Sequence, residues 1–340
     1  MAHSVQNNSE GFVSWEKLRG AWIYSAFQVS QQKGTLVKGF LNQFVKNNPG
    51  YRFTIAQLYD ELFHICITPE QSLEIQRTIK RRYGLDLEEG CIYELFPGAK
   101  AEKKRFRDFN DFRHFQQNDL VRKNRPTIER KHNEAKVHFT RVQTAFNGRA
   151  GKSFLSFDIE VYEHDHSQLL EIGYVIVHFT DAKTNQYKMS CEHLIIEENL
   201  HFKNKDYVPD NRNGFRFGTS KTLPESEAAR RFAKDVGEAT YILGHSVQHD
   251  TEYLKNIGVD HIALGKEMFD TQVINIYKES LKDRDNFRTR GLNQLMKENK
   301  IEYREEDLHN AGCDAFYTMM LFLRQMNFTE EQVNAIIMSF

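Results

Sequence analysis

Cysteine is scarce in this chain, and what little there is lies scattered. Cys66, Cys91, Cys191 and Cys313 form no Cys-x-x-Cys pair. That argues against a disulfide framework and a zinc knuckle, and it fits a reducing compartment. Long apolar runs are also missing, and nothing approaches the ~18 residues of a membrane span. Residues 1 to 11 are polar. They carry neither the hydrophobic core of a signal peptide nor the Arg-rich pattern of a transit peptide, so an intracellular protein, cytoplasmic or nuclear, is expected. Net charge is nearly absent too, at −1, and gives no whole-chain attraction to a polyanion. What the chain does have is 40% hydrophobic and 12% aromatic residues over 340 positions. This is enough for a sizeable core and two or three domains, and it excludes wholesale disorder.

The chain divides by texture. Residues 1–13 read as a flexible tail. Residues 14–100 read as a small, mainly helical domain. Leu36, Val37, Phe40, Leu41, Phe44 and Val45 recur at helical spacing, and Asn48-Pro49-Gly50 breaks the pattern. Thr54 with Gln57 resembles a capping box ahead of a stripe from Ile55 to Phe63. Pro69 opens a third helix carrying Arg77, Lys80, Arg81 and Arg82, which Gly84 closes, and Ile92–Phe96 reads as a short strand. This is either a winged-helix-like unit facing nucleic acid with its third helix or a helical domain with a solvated basic face.

Charge is unevenly placed in the next segment. Residues 101–152 hold 14 Lys/Arg against 6 Asp/Glu. Lys103, Lys104, Arg105, Arg107, Arg122, Lys123 and Arg125 alternate with Phe106, Phe109, Phe112 and Phe115. Such interleaving binds a phosphate backbone while stacking bases; the alternative is a charged helical linker whose phenylalanines dock on a neighbouring domain.

From Ser153 strands take over. Phe154–Tyr162, Leu169–Phe179 and Lys188–Ile196 read as antiparallel strands, and residues 198–223 as an irregular loop. Helices and short strands then alternate: a helix from Pro224, a buried strand at Thr240–Gly244, a helix at Asp250–Asn256, and a strand ending at Phe269 with Asp270 capping the next helix. A helix around Leu292–Met296 follows, then one over His309–Met326, and a last helix within 327–340 capped by Thr329 and Gln332. The expected class is α/β, a mixed sheet flanked by helices.

Asp158 and Glu160 interrupt the first of these strands two residues apart. They share one face, while Phe157, Ile159 and Val161 point into a core on the other. Two like charges on a half-buried face favour a cation between them, a divalent metal above all; an exposed face with two solvated acids is the other possibility. Two later stretches offer further ligands. His245-Ser246-Val247-Gln248-His249-Asp250 follows a buried strand, where ligands sit in open α/β sheets. His309-Asn310-Ala311-Gly312-Cys313-Asp314 opens a helix.

Asp158-x-Glu160, His245-Ser-x-x-x-Asp250 and His309-x-Ala311-x-x-Asp314 together resemble, in order and spacing, the three motifs of the DEDDh family of 3′-5′ exonucleases, over about residues 153–326. Phe269-Asp270-Thr271 and Leu292-x-x-Leu295 resemble accessory features of that family. The resemblance implies a ribonuclease H-like fold. It implies metal-dependent hydrolysis of phosphodiester bonds in RNA or single-stranded DNA, with two Mg²⁺ or Mn²⁺ ions. It implies Asp158, Glu160, Asp250 and Asp314 as metal ligands and His309 as general base; a histidine that merely caps its helix is the alternative. His245, Ser246 and His249 would contact the substrate phosphate, or the two histidines would be structural. The chain departs from the family pattern at Val161, Ser246 and His249. None is an expected metal ligand, so these differences bear on substrate preference and end-binding. The rival function is a non-catalytic nucleic-acid or protein binding platform on the same fold.

Overall fold

The computed structural model describes residues 11–181, 186–247, 250–285 and 287–340. It forms two compact units, Met1–Arg130 and Lys131–Phe340.

The first unit is helical, as expected, but its helices lie on a four-stranded sheet. The elements are β1 (Val13–Ser14), α1 (Trp15–Val29), α2 (Gln31–Asn47), β2 (Arg52–Gln57), β3 (Phe63–Ile67), α3 (Pro69–Tyr83), β4 (Glu102–Arg105), α4 (Phe109–His114), a π-helical turn (Phe115–Asp119) and the start of α5 (Leu120–Asn147). The sheet order is β1-β3-β2-β4. Phe12 and Val13, expected in the tail, are buried, and Val13 pairs with Ile67. The helix expected behind Thr54 is instead β2 and β3. Phe53 and Ile55 pack on one face of β2 and Ala56 on the other, so both faces are covered. The capping box belongs to Thr68 and Gln71 at the head of α3, which Gly84 ends in a left-handed turn at φ 61°. Ile92–Phe96 forms only isolated bridges, at Tyr93 and Leu95. The 101–152 segment holds β4, α4, the π-helical turn and α5, which ends at Asn147.

The second unit holds the rest of α5, then β5 (Lys152–Tyr162), β6 (Asp165–Asp181), β7 (Gln186–Ile196), β8 (Ser220–Leu223), α6 (Glu225–Glu238), β9 (Tyr241–Gly244), α7 (Asp250–Asn256), β10 (Glu267–Asp270), α8 (Thr271–Ser280), α9 (Leu292–Glu298), α10 (Ala311–Gln325) and α11 (Glu330–Met338). Its sheet runs β10-β9-β5-β6-β7-β8. Neighbours are antiparallel across β5, β6 and β7, while β9 and β10 run parallel to β5. This is the ribonuclease H-like mixed sheet flanked by helices that the motifs imply.

Two cores sandwich the sheet. Leu155, Phe157, Ile159, Ile172 and Tyr174 pack on α6 through Phe232 and Val236. Phe154, Val175, Val177 and Phe179 pack on α10 through Phe316 and Phe322. Helix α10 is apolar nearly all round because it is covered all round, and every residue from Ala315 to Leu323 is buried.

Candidate active site

The alternation of β5 sets the site. Phe157 and Ile159 point to the α6 core, so Ser156, Asp158 and Glu160 face α10. Across the ladder Asp158 stands opposite Gly173, and Glu160 opposite Glu171. The register then shifts at Val161, a bulge that ends regular pairing just beyond the acids.

Gly173 explains how α10 reaches the strand. A Cβ there would lie 2.0 Å from the backbone carbonyl of Ala311 and 2.2 Å from the nitrogen of Gly312. Only a residue without a side chain admits the first turn of α10 this closely. The Ser156 hydroxyl fastens the same helix, donating to the Ala315 carbonyl at 2.7 Å.

The outcome is a cluster of three carboxylates. One oxygen from each of Asp158, Glu160 and Asp314 lies within 4.8 Å of the others. Asp314 Oδ2 accepts the His309 N–H at 3.0 Å. Its other oxygen, Oδ1, is buried and has no hydrogen-bond partner among the described residues. Burial pushes the Asp314 carboxyl up to about 7; the His309 N–H opposes that, and the charges of Glu171 and Asp307 add to it. An orphaned buried oxygen on a destabilised carboxylate, facing two more carboxylates, fits an oxygen-seeking divalent cation such as Mg²⁺ or Mn²⁺.

The shift carries a sign that can be measured. Without metal, the folded chain holds a proton on Asp314 that the unfolded chain releases near the ordinary Asp value. Stability is therefore lost as pH rises from the unfolded value toward about 7. In EDTA, melting temperature should fall between pH 5 and pH 7 by more in the native chain than in Asp314→Asn. Equal slopes would show that Asp314 does not carry this cost.

His309 stands at the turn into α10 with φ 60°, left-handed for a non-glycine residue. Partial burial holds its imidazole below the ordinary value, so the ring is neutral and basic near pH 7. Asn310 caps the helix, accepting the Cys313 N–H, and its amide donates to the Asn211 carbonyl at 3.0 Å. The Asn211 side chain in turn donates to the Leu308 carbonyl at 2.6 Å.

Asp250 is the first residue of α7. Its side chain lies outside what the structure describes, as does residue His249. The strand leading there, β9, runs parallel beside β5, with Leu243 opposite Ser156. Asp270 cradles the intervening loop. It accepts the N–H groups of Ser246 (3.0 Å) and Val247 (3.2 Å) while capping α8 through Gln272. Ser246 there has φ 62°. His245 is structural, with Nδ1 against the Thr271 hydroxyl at 2.8 Å and Nε2 against the Arg290 carbonyl at 3.0 Å. Both ring nitrogens are engaged within the fold, which favours the structural alternative for His245 over a phosphate contact.

The basic residues belong to the first unit. Lys103, Lys104 and Arg105 are on β4, Arg107 follows it, and Arg122, Lys123 and Arg125 are on α5. Arg122 pairs with Asp119 at 3.1 Å and Arg107 with Asp111 at 3.7 Å. Lys104 sits 4.4 Å from the Phe115 ring centre, and Lys123 4.1 Å from that of Phe63. Phe106 and Phe112 belong to the core of the first unit, so they do not stack bases.

Glu171 and His193, both fully buried, are functional neighbours that motif reading missed. Glu171 Oε2 meets His193 Nε2 at 2.7 Å and accepts the Ala311 N–H at 3.2 Å, while His193 Nδ1 meets the Ser220 hydroxyl at 2.8 Å. This chain of bonds pins the head of α10. A glutamate inside an apolar strand was the available signal. A second acid-and-imidazole group, Glu163, His164 and Asp206, has a different use: Glu163 accepts four successive backbone N–H groups, Lys205 to Val208, which lower its carboxyl to about 2. It staples a loop to the end of β5.

Residues 153–325 match the family described as DNA polymerase III subunit epsilon-like, C-terminal domain, DEDDh_C. An uncharacterized nucleolar protein of Schizosaccharomyces pombe is 28% identical over 49% of this chain and 65% of its own length. Good for full DBP5 activity protein 2 of Saccharomyces cerevisiae is 26% identical over 49% of this chain and 34% of its own. The chain thus spans under two thirds of each of these relatives. Among solved structures, product-bound exonuclease I is 18% identical over 55% of this chain and 46% of that one, with a TM-score of 0.36.

Proposed function

The chain belongs to the DEDDh family of DNA polymerase III epsilon-like domains, and on that premise we propose that it is a divalent-metal-dependent 3′-5′ exonuclease acting on RNA or single-stranded DNA. One observation carries the reading: Asp158, Glu160 and Asp314 converge within 4.8 Å, and Asp314 has a buried oxygen with no hydrogen-bond partner among the described residues. Asp158, Glu160, Asp314 and Asp250 would hold two ions, Mg²⁺ or Mn²⁺. When bound, these would supply the positive charge that phosphodiester hydrolysis requires at phosphorus and at the leaving 3′ oxygen.

The chain's own groups do the rest. His309 takes the proton from the attacking water, and its depressed imidazole is ready to do so at neutral pH. Its left-handed turn is tied to the site through its own N–H, which donates to the Asp314 carboxylate, and through the neighbouring Asn310–Asn211 pair. Glu171 and His193 hold α10 so that Asp314 stays in register with β5. Lys103, Lys104, Arg105, Arg107, Arg122, Lys123, Arg125 and Ser246 remain candidate contacts for the strand's backbone. The reading is of an intracellular enzyme, cytoplasmic or nuclear, and the nucleolar relative favours the nucleus. No helix among the described residues is long and apolar enough to cross a membrane.

A time course on 5′-labelled RNA and DNA oligomers, with Mn²⁺ or with EDTA, tests the proposal. Labelled products that shorten stepwise from the 3′ end in Mn²⁺ alone support it, and the faster substrate identifies the sugar. Intact oligomers in Mn²⁺ would favour the binding platform.

A further inference from the structure

The irregular loop between β7 and β8 is fastened to both flanks of the acid cluster. On the β5 side, Glu163 accepts the N–H groups of Lys205, Asp206, Tyr207 and Val208. The buried Asn204 side chain accepts the Glu163 N–H and donates to the carbonyl of Val161, next to Glu160, each at 2.9 Å. The buried Arg212 ties the loop to itself, donating to Asp210 at 2.8 Å and to the Phe202 carbonyl. On the α10 side, Asn211 meets the chain twice. Its side-chain amide donates to the Leu308 carbonyl at 2.6 Å, and its own carbonyl accepts the Asn310 amide at 3.0 Å. Leu308 and Asn310 are the two neighbours of His309. One loop residue thus grips the backbone before His309 and the side chain after it.

We propose that Asn211 is a positioning residue for His309, carried to it by this loop; the inference rests on the reading of His309 as general base and deepens it. His309 has φ 60°, a conformation that a non-glycine residue keeps only where its surroundings over-determine it. Three bonds do so. The His309 N–H donates to Asp314, a member of the acid cluster. The two Asn211 bonds come from outside that cluster, so they hold the turn whatever the charge on the three acids. Asn310 joins the clamp to the helix: its oxygen accepts the Cys313 N–H at 3.0 Å while its amide donates to Asn211. A general base works only within hydrogen-bond reach of the proton it takes. A turn that relaxed out of the left-handed region would swing the imidazole away from that position.

Two variants of the full chain test this. Asn211→Ala removes the donor to Leu308, and Asn211→Asp removes it while keeping the shape. With Mn²⁺ and a single-stranded oligomer, each should lower kcat about 10²-fold, the effect of a 1 Å misplacement, with KM near native. Melting temperature in EDTA should stay close to native, because Glu163 and Arg212 still hold the loop. His309→Ala should lower kcat by about 10²–10⁴-fold. Adding Asn211→Ala to it should cost nothing more, because a residue that acts through His309 then has nothing to act on. Crystal structures of the native chain and Asn211→Ala give a readout free of activity: His309 should leave the left-handed region in the variant. Native kcat in both Asn211 variants, a full further loss in the His309→Ala background, or an unchanged His309 turn in the variant's crystal structure overturns the proposal. An inactive native chain, or native kcat in His309→Ala, overturns the general-base reading instead, and the crystal structures still decide whether Asn211 holds the turn.

Discussion

Asp158→Ala should reduce nucleotide release by at least about 10²–10³-fold, the loss typical when one electrostatic stabiliser of a transition state is removed, while leaving the fold intact or slightly more stable. Both halves follow from position. Asp158 lies on β5 opposite Gly173, where the first turn of α10 passes over the strand. It shares its cluster with Glu160 and Asp314, and crowding three acids works against the metal-free fold. Removing one relieves that crowding, so melting temperature in EDTA should hold or rise. A residue kept for stability would show the reverse. Activity near the native level in Asp158→Ala would remove the cluster from the mechanism; a large fall in melting temperature would make the loss one of folding.

Gly173→Ala should be damaging on both counts. The added Cβ meets the Ala311 carbonyl at 2.0 Å and the Gly312 nitrogen at 2.2 Å, and these are backbone atoms that no rotamer change can move. Helix or strand must shift instead, at a cost of about 1–3 kcal/mol for overpacking. A shift of that size carries Asp314 and His309 away from Asp158 and Glu160, and a 1 Å misplacement in a catalytic site costs about 10²-fold. Glu171 accepts the Ala311 N–H on the same turn, so that bond stretches too. Denaturant unfolding and oligomer hydrolysis measured on one preparation would show both losses. Native activity with unchanged stability would mean that α10 does not depend on this close approach.

Much of the second unit was legible in the sequence for a physical reason. Strand β5 has one face buried against α6 and carries its acids on the other, so a period of two shows through. Helix α10 and the caps at Asp270 and Thr329 announce themselves by local chemistry, and both caps form. The first unit was less legible. Strand β2 is covered on both faces, and a short run buried on both sides has no period to distinguish strand from helix. Thr54 and Gln57 then imitated a capping box whose real counterpart, Thr68 and Gln71, lay fourteen positions further on. The phenylalanines among the basic residues gave no sign of whether they faced solvent; Phe106 and Phe112 turned out to be core. In the site, the three motifs named the acids and His309. Of the braces only Glu171 gave a sign, as an acid inside an apolar strand; His193, Gly173 and Asn211 act through contacts far apart in sequence.

The central claim is that Asp158, Glu160 and Asp314 form one cation-holding site. Mn²⁺ titration at pH 7.5, followed by melting temperature, tests it most directly. Ligand at a hundred times its dissociation constant stabilises by about 2.7 kcal/mol, so the native chain should show a saturable rise of several degrees that Asp158→Ala largely abolishes. A flat response in the native chain, or an equal rise in both proteins, would contradict the claim.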